Sequence, residues 1–78
     1  MFKNKNSDGS LNICGKRIKE LRKAKGLSQK GLANEMQLKG IDMGKNAIQQ
    51  IESGERFVID IELKVFAIFF RCSVDELL

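Results

Sequence analysis

The 78-residue chain contains no histidine, proline, tryptophan or tyrosine. Without histidine it lacks the side chain most often used as a general base and as a metal ligand. Cysteine is scarce: Cys14 and Cys72 lie far apart and form no CxxC pair. A zinc site needs about four ligands, which are not present here. The two thiols read as reduced, small apolar packing groups; the other reading is a disulfide that staples the two ends. No apolar run approaches the roughly 20 residues of a membrane span. The start, Met1-Phe2-Lys3-Asn4-Lys5-Asn6, lacks the apolar core of a signal peptide. A cytoplasmic protein without metal or cofactor is expected. Chemistry would need a nucleophile with a positioned base. Ser28 and Ser53 read instead as helix-end residues, and Asp60, Glu62 and Asp75 fall at helix starts, where carboxylates complement the dipole. An enzyme is therefore not expected.

What is present is unevenly charged. The formal net charge is +4, yet residues 1–30 hold nine Lys/Arg against two Asp/Glu, and residues 31–78 hold five against eight. A basic front and a mildly acidic back suggest one face that meets polyanions and one that does not. The alternative is a solvated helix surface. The apolar fraction of 42% is ordinary for a globular chain. The length allows one small domain, near the lower limit for a core without staples.

Residues 1–12 are polar and read as a flexible N-terminal arm, either inert or touching a nucleic-acid backbone. The domain proper is 13–78. Cys14, Ile18 and Leu21 fall at helical spacing with Lys/Arg on the other faces. Gly26 suits a residue of positive φ that ends this first helix. Ser28 is a good N-cap for the second, although the capping box is incomplete because Gly31 stands where Glu or Gln would. Leu32 and Met36 mark the buried stripe of helix two, and Ala33 allows close approach. Residues 37–44 carry two glycines and form a turn. Helix three runs from about Lys45 to Glu52, with Ile48 and Ile51 inward and Lys45, Asn46, Gln49 and Gln50 outward; Ser53-Gly54 ends it. Asp60 is the expected N-cap of helix four, which runs to about Phe70 and is apolar almost all round. Ser73 caps a last short helix carrying Val74, Leu77 and Leu78. No segment reads as a strand, so the fold class is all-α, five short helices around one core.

Gly15-Lys-Arg-Ile-Lys-Glu-Leu-Arg22, Gly26-Leu-Ser-Gln29, Leu32-Ala33, Ile48-Gln-Gln-Ile-Glu52-Ser-Gly54 and Val74-Asp-Glu-Leu-Leu78 together resemble the helix-turn-helix domain of the Xre family, the phage-repressor and Cro class of bacterial regulators. The resemblance covers about residues 13–78 and rests on five pieces in order, since no single piece is specific. It implies a compact lambda-repressor-like domain whose third helix enters the major groove, usually as one of two copies on a palindrome. By motif position, Lys45, Asn46, Gln49 and Gln50 are the candidate base contacts. Lys suits guanine acceptors, and Asn and Gln can pair twice with adenine. Gln29 and Arg56 resemble the family's phosphate contacts, and Lys30 joins them as a basic neighbour. Arg22 and Glu52 match a family ion pair that locks helix three to the core. Each role has a plainer alternative: solvated surface for the glutamines and Arg56, phosphate alone for Lys45.

Three departures stand out. The turn before helix three is longer than usual and could bring Lys39 to a phosphate. Gly44 replaces an N-cap Ser, which leaves Asp42 as an alternative cap. Arg71 replaces the Gly after helix four, which asks a non-Gly residue to take positive φ. Helix four also carries Ile68 where a polar residue is usual. The all-round apolar surface predicts a homodimer through Ile68, Phe69 and neighbours. The other reading makes Phe66, Phe69 and Phe70 all core, completed by Phe57. The function expected is sequence-specific binding of double-stranded DNA by a transcriptional regulator, most simply a repressor. The alternative is a protein-interaction module, such as an antitoxin that binds a toxin partner through helix four.

Overall fold

A computed structural model of the protein describes residues 9–78, and five helices follow one another without a strand among them: α1 (Gly15–Ala24), α2 (Gln29–Leu38), α3 (Lys45–Ser53), α4 (Asp60–Phe70) and α5 (Val74–Leu77). The all-α, five-helix expectation holds. Most of what ends these helices is local. At the last turn of α1, Gly26 N–H bonds to the Lys23 carbonyl and Leu27 N–H to the Arg22 carbonyl. The same two-bond pattern closes α2 at Gly40 and Ile41, α3 at Gly54 and Glu55, and α4 at Arg71 and Cys72. Each closure needs one residue in the left-handed region, and three of the four supply glycine. The fourth uses Arg71 at φ 57°, as its substitution for glycine requires.

The starts are more varied. Ser28 caps α2, its hydroxyl accepting the Gly31 N–H at 2.9 Å. Ser73 caps α5 by accepting from Glu76 N–H, while the Glu76 carboxylate accepts from Ser73 N–H. The expected cap of α4 is corrected by one residue: Ile59 holds the extended N-cap position, and Asp60 is the first helical residue. Isoleucine offers no acceptor, so only half of a capping box forms, the Glu62 carboxylate accepting the Ile59 N–H. Asp42 does not cap α3; Gly44 does, with no side-chain bond.

The core is one cluster drawn from every helix. Ile18, Leu32, Met36, Ile48, Ile51 and Phe66 are completely buried, joined by Leu77. Each such side chain stabilises by roughly 1.5–3 kcal/mol relative to exposure. α3 packs against α1 and α2, and α5 packs on α4. Gly15 permits the α1–α3 approach: a methyl group there would collide with the Ile51 carbonyl oxygen. Both cysteines are free, so no disulfide joins the ends. Burial raises the pKa of both thiols, which keeps them protonated and poor nucleophiles.

Two stretches differ from their sequence reading. The long turn, residues 39–44, is not simply a polar surface loop. Met43 is buried within it, Ile41 packs on the core, and the Gln37 amide donates to the Met43 carbonyl at 2.9 Å. Residues 10–12, expected as part of a flexible arm, are held against the domain. Leu11 N–H bonds to the Gly54 carbonyl, Ser10 lies against Gly54, and the Asn12 side chain bonds to three backbone groups. Residues 1–8 lie outside the described residues.

Candidate nucleic-acid interface

α3 places Lys45, Asn46, Gln49 and Gln50 on one exposed arc, while Ile48 and Ile51 on its other side are fully buried. None of the four outward side chains bonds to another described residue. Their amide and ammonium groups therefore project into solvent, with their hydrogen-bonding capacity unspent.

α3 is seated by a buried ion pair. Arg22 Nε donates to Glu52 Oε2 at 2.6 Å and Arg22 Nη2 to Glu52 Oε1 at 3.1 Å. The remaining donor, Nη1, bonds to the Leu27 carbonyl at 2.7 Å. The two side chains retain 10% and 3% of their exposure. Burying charge costs several kcal/mol per ion, so such a pair holds only when every hydrogen-bonding group is engaged. Here it is: among the described residues no buried side-chain nitrogen or oxygen lacks a partner. The expected pair thus forms, with a third member that the sequence reading missed. Gln29 Nε2 donates to Glu52 Oε1 at 3.1 Å. One amide hydrogen of this candidate phosphate contact points inward, which leaves the second for an outside acceptor. Lys30, one residue on, is exposed and unpaired.

Arg56 is placed differently from its sequence reading. Its Nη1 and Nη2 donate to the two oxygens of Glu62, each at 2.9 Å, and Nη1 also reaches the Phe57 carbonyl at 3.1 Å. The Arg56 guanidinium is the largest influence holding the Glu62 carboxyl below the usual glutamate range; burial opposes it and the Ile59 N–H adds to it. The same bonds raise the Arg56 pKa. The fork that would grip a phosphate is occupied by a carboxylate of its own chain. Glu62, read as a dipole-complementing residue, is therefore the partner that fastens the α3–α4 loop to α4.

The second notable surface is on α4. Ile61 and Ile68 are each about 60% exposed, and half-buried Val65 lies between them at helical spacing. Ile68 was anticipated; Ile61 and Val65 were not. Phe69 is half-buried and meets Phe70 edge-on. The ammonium groups of Lys25 and Lys39 lie 5.3 and 5.7 Å from the centre of its ring, within cation–π range. Lys39, which the sequence reading offered to a phosphate, is thus turned to Phe69. Phe66 and Phe70 are core, but Phe57 is half exposed and does not complete it. Among the described residues no cluster of His, Cys, Asp or Glu could hold a metal ion, and no helix is long and apolar enough to cross a membrane.

Comparison with known proteins agrees with this architecture. The model of the Helix-turn-helix family matches residues 18–77. The fold is similar to the crystal structure of the restriction-modification controller protein C.AhdI from Aeromonas hydrophila, with a TM-score of 0.68 and 35% sequence identity, over 85% of this chain and 92% of that one. No curated protein matches in sequence. Helix order, the seated third helix and the matched span lead to one assignment: this chain belongs to the Xre and lambda-repressor-like helix-turn-helix family of DNA-binding transcriptional regulators.

Proposed function

We propose that the chain reads a palindromic operator as a homodimer, most simply as a repressor that occludes a promoter. α3 lies in the major groove, with Lys45 on guanine acceptors and Asn46, Gln49 and Gln50 on adenine edges. The second hydrogen of the Gln29 amide and the Lys30 ammonium meet phosphates at the start of α2, where a helix N-terminus favours anions. Arg56 belongs to the fold first; any phosphate it meets shares it with Glu62. Ile61, Val65, Ile68 and Phe69 form the contact between copies, which sets the two α3 helices about 34–36 Å apart, one turn of DNA. The observation that carries this reading is the exposed, unbonded polar arc of α3 above a buried isoleucine pair. The 35% identity to a restriction-modification controller supports a controller role of that kind.

The test is selection of bound duplexes from random DNA at two salt concentrations. A single enriched palindrome that persists at the higher salt supports base reading; binding that enriches nothing and collapses with salt marks simple polyelectrolyte attraction. On the selected site, Lys45→Ala or Gln50→Ala should each cost about 1–3 kcal/mol and relax the preference at one position. If both leave affinity and preference intact, α3 does not read the bases.

The exposed stripe on α4 favours a second reading, in which it receives a protein partner such as a toxin. Co-purification of a stoichiometric second protein from the native host, together with a monomeric chain in its absence, would establish that role in place of the homodimer.

A further inference from the structure

Asn12 sits between two helices that it belongs to neither of. Its Oδ1 accepts the Gly15 N–H at 2.7 Å, in the first turn of α1. Its Nδ2 donates to the Ile51 carbonyl at 3.0 Å, in the last turn of α3, and to the Arg56 carbonyl at 2.8 Å in the loop beyond. A helix start carries unpaired N–H groups and partial positive charge; a helix end carries unpaired carbonyls and partial negative charge. The amide therefore lies with its oxygen on the positive end of α1 and its nitrogen on the negative end of α3, and each end of its dipole faces the opposite sign. Around it the backbones come close. Gly15 has no room for a methyl group beneath Ile51, Gly54 has none beneath Ser10, and Leu11 N–H holds the Gly54 carbonyl at 2.8 Å.

We propose that Asn12 is a positioning residue for the recognition helix: by capping α1 and α3 with one side chain, it fixes where along α1 the last turn of α3 rests, and so where Lys45 to Gln50 meet the bases. The proposal rests on the reading of α3 as the helix that enters the groove. Arg22–Glu52 holds α3 to α1 near the far end of α1, and Asn12 holds it near the start. Both act on α3 at its last turn, through the neighbouring Glu52 and Ile51, so the two ties fix where that end sits along α1, whereas one leaves it free to swing. Direct readout needs donors placed to a fraction of an ångström, so a small shift of this end removes base discrimination while leaving attraction to phosphates intact.

The chemistry of the side chain gives a clean test. Asn12→Asp keeps the acceptor for Gly15 N–H but loses both donated bonds and sets a carboxylate against two carbonyls. Asn12→Ser keeps an acceptor and adds no charge. Circular dichroism checks that each variant is folded at the assay temperature. Affinity is then measured for the duplex that the wild-type chain selects from random DNA and for a scrambled duplex of equal length. In both variants the ratio of the two affinities should fall roughly ten-fold, the scale of one lost base contact, while the Asn12→Ser affinity for scrambled DNA should stay within two-fold of wild type. Hydrogen exchange should quicken in the last turn of α3 and not in the middle of α2. Unchanged ratios in both variants overturn the proposal alone. Affinities for both duplexes that fall together in Asn12→Ser overturn it as well, and loss of the helical signal in both variants makes Asn12 a folding determinant instead. A wild-type chain that selects no sequence overturns the proposed function and, with it, the positioning role.

Discussion

α3 and α4 are held by the same device and face the solvent with opposite chemistry. Each buries one glutamate, Glu52 or Glu62, against an arginine that grips both carboxylate oxygens. On α3 the exposed arc is amide and ammonium; on α4 it is Ile61 and Ile68 with the single charge of Lys64 between them. The glutamate thus says nothing about what a helix meets; it only fixes the helix in place. On the proposed reading the outward residues set the partner: a polar groove for one, a largely apolar surface for the other. The two clamps also differ in reach. Arg22 and Glu52 are 30 residues apart and join α1 to α3, whereas Arg56 and Glu62 are six apart and close a single loop.

Removing each glutamate separates the long clamp from the short one. Glu52→Ala strands a buried Arg22 and should cost about 3–5 kcal/mol in urea unfolding, a large part of the 5–15 kcal/mol typical of a folded domain. Glu62→Ala should cost clearly less, because Arg56 keeps 31% of its side-chain exposure and can rehydrate. Equal losses would mean that burial does not distinguish the two. The outward faces come next. Ile68→Lys should leave unfolding unchanged within about 0.5 kcal/mol and weaken self-association by roughly ten-fold or more, equivalent to about 1.4 kcal/mol, in analytical ultracentrifugation. A wild-type chain that light scattering finds monomeric at high micromolar concentration would remove the homodimer and leave the α4 face to another partner.

The helix ends offer a smaller effect. Arg71→Gly relieves a left-handed residue, worth about 1–2 kcal/mol, and gives back part of this as unfolded-chain entropy. A net gain of roughly 0.5–1 kcal/mol is expected in the thermal unfolding curve, and no gain would show that Arg71 has a favourable contact to lose. The smallest effect is in acid. Because the Glu62 pKa is lower folded than unfolded, its contribution is complete above the ordinary glutamate value of about 4.3. It fades as the pH falls through the lowered value and vanishes below it. Stability measured from pH 6 downward should fall less steeply in Glu62→Gln than in wild type over that acid range. A parallel slope would remove Glu62 as a source of acid sensitivity.

The helices were legible because their signals are short-range. Ser28, Gly26, Gly54 and Ser73 each announce an end within four residues, and the buried Ile48 and Ile51 keep the period of a helix. α4 was misplaced by one residue because a carboxylate inside the helix, Glu62, performs part of the task normally given to the cap. The Arg22–Glu52 pair was visible only through the family resemblance, since no spacing links residues 30 apart. Arg56 was assigned to DNA because its charge is readable and its neighbour's claim on it is not. Asn12 escaped because two of its partners are carbonyls of α3 and of the loop after it, and backbone groups leave no mark in a sequence. Its one local clue was an Asn three residues before Gly15, a capping arrangement hidden in a polar tail.

The buried Met43 gives the long turn a property that ordinary surface loops lack. With its thioether plugged into the interior and its carbonyl tied to Gln37, the peptide is nailed down immediately before α3, the proposed recognition helix, begins. Of the three residues ahead of it, Gly40 and Asp42 are exposed while Ile41 packs on the core, so a residue inserted beside Asp42 would be absorbed upstream of that nail. Grafting a foreign peptide beside Asp42 should therefore leave the angle of α3, and with it the proposed operator choice, untouched.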